Sequence, residues 1–292
     1  ETVVEVVDVS APGLSASAAS GNEDSGIALN IASSLVDGTN LSVVISGVPT
    51  GAALSAGTDN GDGSWTLTST QLSGLSITPA SNDSSDFSLT VTATASDDRS
   101  SASSVQTLAV TVDGVADTPT LSTSAGSGNE DSAIALSISS DLADSSESLS
   151  VVISGVPTGA SLSAGTDNGD GSWTLTSAQL SGLSVTPPSN DSSNFQLTVT
   201  ATATDGSSTA QSVDTLDVAV AGVADSPNLS TSAASGNEDS AISLSISSSL
   251  ADSSESLSVV ISGVTTGGSL SAGTDNGDGS WTLTSAQLSK LT

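Results

Sequence analysis

Adjacent Glu and Asp residues recur in one short loop of this 292-residue sequence: Glu23–Asp24, Glu130–Asp131 and Glu238–Asp239 each stand inside SGNEDS. The chain carries 32 acidic residues against two basic ones, Arg99 and Lys290, for a net charge of −30. It contains no His, Cys or Tyr. Carboxylates without those companions have a short list of chemistries. They bind hard cations through oxygen, or they share protons when crowded. Proton transfer and nucleophilic attack want a base of tuned pKa beside a nucleophile, and no spacing here pairs Ser with such a base. The chain is therefore expected not to be an enzyme. A carboxylate-only glycosidase is the enzymatic class that composition leaves open.

The same charge balance bounds the partners. Nucleic-acid binding needs Lys and Arg to neutralise phosphates, so nucleic acid is not expected. No apolar run approaches the ~20 residues of a membrane-spanning helix, so membrane insertion is not expected either. Cations are the natural partners. With neither an initiator Met nor a signal peptide, the sequence reads as an internal slice of something longer.

The acidic loops belong to a repeat. DNGDGSWTLT begins at Asp59, Asp167 and Asp275, a spacing of 108 each time. GNED begins at Gly21, Gly128 and Gly236, with spacings of 107 and 108. From Gly128 to Leu183 the second copy matches the third at all but five positions. A period near 108 is too long for a solenoid and fits a string of whole domains. The boundaries read as the last strand of a preceding repeat at 1–10, then repeats at 11–117, 118–225 and 226–292. The last of these is incomplete, stopping about 42 residues short.

Within each repeat, apolar and small polar residues alternate. SAIALSISS, SLSVVIS, SWTLT, GLSVTPP, FQLTVTATAT and VDTLDVAVAGV of the second repeat all have period two, which predicts half-buried strands. Gly, Pro, Asn, Asp and Ser fill the gaps. The expected fold is all-β: tandem immunoglobulin-like Greek-key β-sandwich domains set end to end. Two or three residues between domains leave no flexible tether, so neighbouring repeats should touch.

In such a sandwich the GNED turn lies at one pole, and the loops after the second strand and between the last two strands lie at the other. Carboxylates from consecutive repeats then meet at each joint. The first set is Glu23, Asp24, Asp113, Asp117, Asp144, Glu147 and Asp205. The second is Glu130, Asp131, Asp225, Asp252 and Glu255. Two carboxylates ~4 Å apart repel by roughly 4 kcal/mol at an effective dielectric near 20. Either some protonate or a cation sits among them, and an all-oxygen set on loops favours Ca2+. The competing reading is that these acids are solvated turn residues. The joints are unequal, since Ala221 stands where the first joint has Asp113, and the first repeat keeps only Asp37 in its LVDGTNLS loop.

Other motifs carry two readings each. DNGDG is a hairpin turn or a further ion site, although its Asp spacing does not fit an EF-hand. Trp65, Trp173 and Trp281 are core residues or sugar platforms. TVTATAT is plain strand alternation or a flat Thr array.

The joint GVADTP, the loop GNEDSAIAL, the run VVISGVPTGASLSAGTDNGDGSWTLTSAQLSGLSVTP and the strand LTVTATATD together resemble the extender repeats of giant type I-secreted bacterial surface adhesins of the RTX (repeats-in-toxin) kind. The resemblance covers the whole chain. It implies immunoglobulin- or cadherin-like domains stiffened by Ca2+ at the joints. They would hold a distal binding module away from the cell for surface attachment or biofilm formation. The implied location is extracellular, on the bacterial cell surface, and the implied partners are calcium ions and neighbouring repeats. No glycine-rich nonapeptide repeats and no terminal binding module are present, so adhesive specificity does not carry over. Two other functions stay open. One is a carbohydrate-binding cadherin-like module, which needs exposed aromatics. The other is an extracellular filament subunit, self-associating where strands of a neighbouring chain complete the third repeat.

Overall fold

A computed structural model describes residues 8–292. Residues 1–7 lie outside it, and with them most of the segment read as the closing strand of a preceding repeat. The described residues are strands and turns, and their sheets form β-sandwiches, as the period-two patterning predicts.

The strand Phe87–Ser96 shows why alternation suffices. Leu89, Val91, Ala93 and Ala95 point inward and are fully buried. Thr90, Thr92 and Thr94 occupy the outward positions between them and are half-buried. A strand places successive side chains on opposite faces, so this register is the one that removes all four apolar groups from water. A fully buried Leu contributes roughly 1.5–3 kcal/mol. Phe87–Ser96 pairs antiparallel with Ser101–Asp113 on one side and with Asn40–Ser46 on the other.

The first repeat holds three sheets. Gly13–Ala16 pairs with Ile31–Ser34. A six-stranded sheet runs in the order Ala19–Asn22, Ser101–Asp113, Phe87–Ser96, Asn40–Ser46, Ser64–Leu67, Thr58–Asp59. A three-stranded sheet of Ile27–Ala28, Ser76–Thr78 and Ala53–Leu54 covers the core with Ile27, Ile77 and Leu54. Ala19–Asn22 is the one strand of the six that pairs parallel, its Asn22 opposite Asp113. That pairing carries the GNED loop to the end of the longest strand of the repeat, which is how the site below is assembled. The second repeat forms the same set of sheets, in the same order.

Turn chemistry fixes the registers. DNGDG is a hairpin turn in which Asp59 accepts from the Gly61 amide at 2.9 Å and Asp62 accepts from the Ser64 amide at 3.1 Å. After it, Thr68 and Gln71 cap a single 3-10 turn, Ser69–Leu72, that drops Leu72 into the core. Gly155 takes φ +83, and a Cβ there would sit 2.8 Å from the Gln196 carbonyl oxygen, so only glycine fits. The three Trp are half-buried, with Trp65 and Trp281 packed against the cores of their repeats.

The third repeat has sheets Asn228–Ser232 with Ser245–Ser249 and Ser258–Ser262 with Ser280–Thr284 and Thr274–Asp275. No residues of the sequence correspond to the two long strands of the earlier repeats. Val259 and Ile261 are accordingly only partly buried, whereas their counterparts Val151 and Ile153 are 0% exposed.

By compactness the described chain forms two units. The first runs through Thr120 and takes in Asp141–Leu149 and Ala201–Ser212. The second comprises Leu121–Ser140, Ser150–Thr200 and Val213–Thr292.

Core and surface positions of the same strand should respond differently. Leu89→Ala is expected to cost about 2–5 kcal/mol, read as a fall in the urea midpoint. Thr90→Ala, one residue along on the outer face, should stay within about 0.5 kcal/mol.

Candidate metal centre

The GNED loop separates its two acids. The Glu23 amide donates to the Asp113 carbonyl at 3.0 Å, extending the parallel pairing by one residue. Glu23 then turns inward and is 2% exposed. Asp24 takes a left-handed φ of 54°, which Asp tolerates better than most residues. It stays exposed and accepts from the Asn82 amide at 3.1 Å. The first acid of the pair is a buried ligand candidate, and the second is a turn residue.

Beyond Asp113, three consecutive backbone amides are held by side chains. Val115 N–H donates to Glu23 Oε1 at 2.9 Å, Ala116 N–H to Ser208 Oγ at 3.0 Å, and Asp117 N–H to Glu147 Oε1 at 2.5 Å. Asp117 Oδ2 accepts from Asn82 Nδ2 at 3.0 Å. Asp144 is 5% exposed and is oriented by the amide and hydroxyl of Ser146. Asp205 ends the strand Phe195–Asp205 and lies against Gly114, where an added Cβ would come within 2.0 Å of Asp205 Oδ2. The glycine is what lets the backbone pass that carboxylate.

These constraints bring Glu23, Asp144 and Asp205 together, with one carboxylate oxygen from each lying within 4.8 Å of the others. All three belong to the first compact unit. Glu23 Oε2, Asp205 Oδ2 and the neighbouring Glu147 Oε2 are buried with no hydrogen-bond partner. Burial pushes the Glu23 carboxyl above its ordinary value, and the charges of Asp205, Asp144 and Asp24 push the same way against the Val115 amide. Buried carboxylate oxygens that lack donors are costly unless a cation or a proton satisfies them. The donor set is all oxygen, which fits a hard divalent cation such as Ca2+.

Other residues of the expected first set stand apart from this triad. The Asp113 side chain is exposed, and its backbone carbonyl is what takes part. Asp117 and Glu147 flank the triad through the bonds above, and Asp24 is held to the Asn82 loop.

The second set lies in the second compact unit and repeats the scheme. Glu130, 2% exposed, accepts from the Val223 amide at 2.8 Å and leaves Oε2 buried and unpartnered. Glu255 accepts from the Asp225 amide at 2.7 Å. Asp252 is held below the ordinary carboxylate range by the Ser254 hydroxyl and amide, with Asp191 opposing. Glu130, Asp225, Asp252 and Glu255 line one cavity of about 660 Å³. Asp131 takes φ 56° and accepts from the Asn190 amide at 3.1 Å, as Asp24 does from Asn82. Among the described residues, Glu23, Asp144 and Asp205 are the one acidic triad within metal-sharing distance.

Asn82, Asn190, Ser208 and Asp191 were not singled out by sequence reasoning. A signal existed: SNDSS recurs at 81–85 and 189–193, and its Asn is left-handed both times, at φ 56° and 58°.

No family model matches the sequence, and no curated protein matches it as a relative. Solved structures with similar folds include Drosophila N-cadherin EC1-4, at 14% identity over 97% of this chain and 69% of that one, with a TM-score of 0.30. Mouse protocadherin-24 EC1-3 is similar at 14% identity over 72% of this chain and 70% of that one, with a TM-score of 0.30. The Yersinia pseudotuberculosis adhesin InvE is similar at 14% identity over 70% of this chain and 58% of that one, with a TM-score of 0.27. Among the described residues, no helix is long and apolar enough to cross a membrane.

Glu23→Gln should change sign with conditions. A raised carboxyl pKa favours the folded state below the ordinary Glu value, and that contribution is lost as pH rises through the folded pKa. In EGTA at pH 7 the ionised Glu23 therefore works against folding, and Glu23→Gln should melt higher than the parent. At pH 4 the two should converge. In millimolar Ca2+ at pH 7 the order should reverse. Thermal melts under the three conditions check this.

Proposed function

We propose that this chain is an extender segment of a bacterial surface adhesin, a run of β-sandwich repeats whose joints are stiffened by Ca2+. It acts outside the cell and is non-catalytic. The repeats, with boundaries near 117 and 225, supply length and hold a distal binding module away from the cell. The observation that carries the reading is the Glu23, Asp144 and Asp205 triad with its unpartnered buried oxygens. Glu23 comes from the first repeat, and Asp144 and Asp205 come from the second. A group that needs carboxylates from both can form only when the two repeats meet. Glu23, Asp144, Asp205 and Glu147 would hold the ion at the first joint, with Asp117 beside them. Glu130, Asp225, Asp252 and Glu255 would do so at the second.

A bound Ca2+ supplies the positive charge that the side chains of this acidic chain do not. The chain's own residues do the rest. Val115, Ala116 and Asp117 are already fixed through their amides, Gly114 admits Asp205, and Ser146 orients Asp144. Extracellular calcium modules bind at about 10⁻⁴–10⁻³ M, so such joints are empty in the cytosol and filled outside. A ligand at 100 times its Kd stabilises the state it binds by about 2.7 kcal/mol. Secretion itself would then turn a loose string into a stiff one.

The test is small-angle X-ray scattering and thermal melting of the full chain in millimolar Ca2+ and in EGTA. Calcium should increase the maximum dimension and raise the melting temperature. The double variant Asp144→Asn, Asp205→Asn should blunt both effects at the first joint. A shape and a stability indifferent to calcium would sink the proposal.

A further inference from the structure

The pole of the first repeat, where Val9 and Ser10 enter, is built on the same plan as the pole that carries Asp144 and Asp205, but its charges are already satisfied. Val9 N–H donates to Ser100 Oγ at 3.0 Å, as Ala116 N–H does to Ser208. Ser10 N–H donates to Asp37 Oδ1 at 2.6 Å, as Asp117 N–H does to Glu147. The similarity ends with the groups left over. Ser10 offers a hydroxyl where Asp117 offers a carboxylate, and that hydroxyl donates to Asp37 Oδ2 at 2.7 Å. Both Asp37 oxygens are thus occupied.

The shortened LVDGTNLS loop has no Glu in the place of Glu147. Asp37 alone does the work that Asp144 and Glu147 divide between them. Asp97, the counterpart of Asp205, accepts from the Arg99 and Ser100 amides, each at 2.8 Å. Those two amides, with the Arg99 charge, hold its carboxyl below the ordinary range. Arg99 is the only arginine of the chain. No oxygen of Asp37 or Asp97 is among the buried unpartnered atoms, whereas Glu147 and Asp205 each contribute one. Asp8 and Asp98, the other acids nearby, are exposed.

We propose that this pole is closed by its own hydrogen bonds and takes no cation, so that the chain contains a calcium-independent joint alongside calcium-dependent ones. The inference rests on the calcium reading of the Glu23 triad, since the contrast is with that site. Its consequence is a segment that keeps the Val9–Ser10 entry ordered at calcium levels where the Val115–Asp117 linker has loosened. Loss of calcium would then soften the array at particular joints and leave others stiff.

Amide hydrogen exchange on the full chain, in millimolar Ca2+ and in EGTA, tests this. The Val9 and Ser10 amides should exchange at the same rate in both, within about twofold. The Val115 and Asp117 amides should exchange at least tenfold faster in EGTA. Loss of Ser10 protection together with that of Asp117 would overturn the inference and leave the calcium reading standing. No response at either place would instead overturn the calcium reading, and the contrast with it. Asp37→Ala, a change in a surface loop, supplies the second arm. It should speed Ser10 exchange equally with and without calcium, and an effect confined to one condition would count against an ion-free joint.

Discussion

Carboxylates brought together without positive partners are the constraint on which this structure turns. Glu23, Asp144 and Asp205 face one another at distances where each pair repels, in a chain with two basic residues. Exposed loops would let such groups spread into solvent. Here Glu23 is 2% exposed and Asp144 5% exposed, and the backbone that places them is fixed by sheet pairing and by consecutive amide bonds. The fold holds the charges in place, and their repulsion is relieved by a cation, by a proton, or by separation of the repeats. A linker whose order depends on an ion follows from that choice.

The sandwich makes the convergence possible at low cost. Its strands place turns at the poles, and turns need the same Asp, Asn, Gly and Ser that bind cations well. Most acids of this chain serve turns only. Asp59, Asp62 and Asp24 accept from backbone amides and remain in water. What distinguishes Glu23, Glu130, Glu147 and Asp205 is an oxygen removed from water with nothing to bond. The separation of turn acids from ligand candidates is therefore a matter of burial rather than of residue type.

The two ends of the first repeat show how little sequence change moves a pole from one class to the other. One residue fewer in a loop, Ser10 in place of an aspartate, and an arginine near Asp97 replace unpartnered carboxylates with a closed set of hydrogen bonds. Net charge is a poor guide here, because the difference lies in whether each oxygen meets a donor.

Much of this was legible in the sequence. The 108-residue period, the strand alternation and the hairpin turns follow from local rules, since a strand's faces are set by its own residues and a turn by its own dihedrals. Leu89 and Val91 point inward because Thr90 and Thr92 are the residues that tolerate the outside. The sequence also grouped acids at the ends of repeats. It could not say that Glu23 is buried while Asp24 is exposed, that Asp113 contributes a carbonyl rather than its carboxylate, or that Asn82 and Ser208 hold the linker. Residues 23, 144 and 205 are separated by about a whole repeat, and only the parallel pairing of Ala19–Asn22 with Ser101–Asp113 and the path through Gly114 bring them together. Which oxygen is left without a partner depends on contacts across those distances, so the tertiary structure alone decided it.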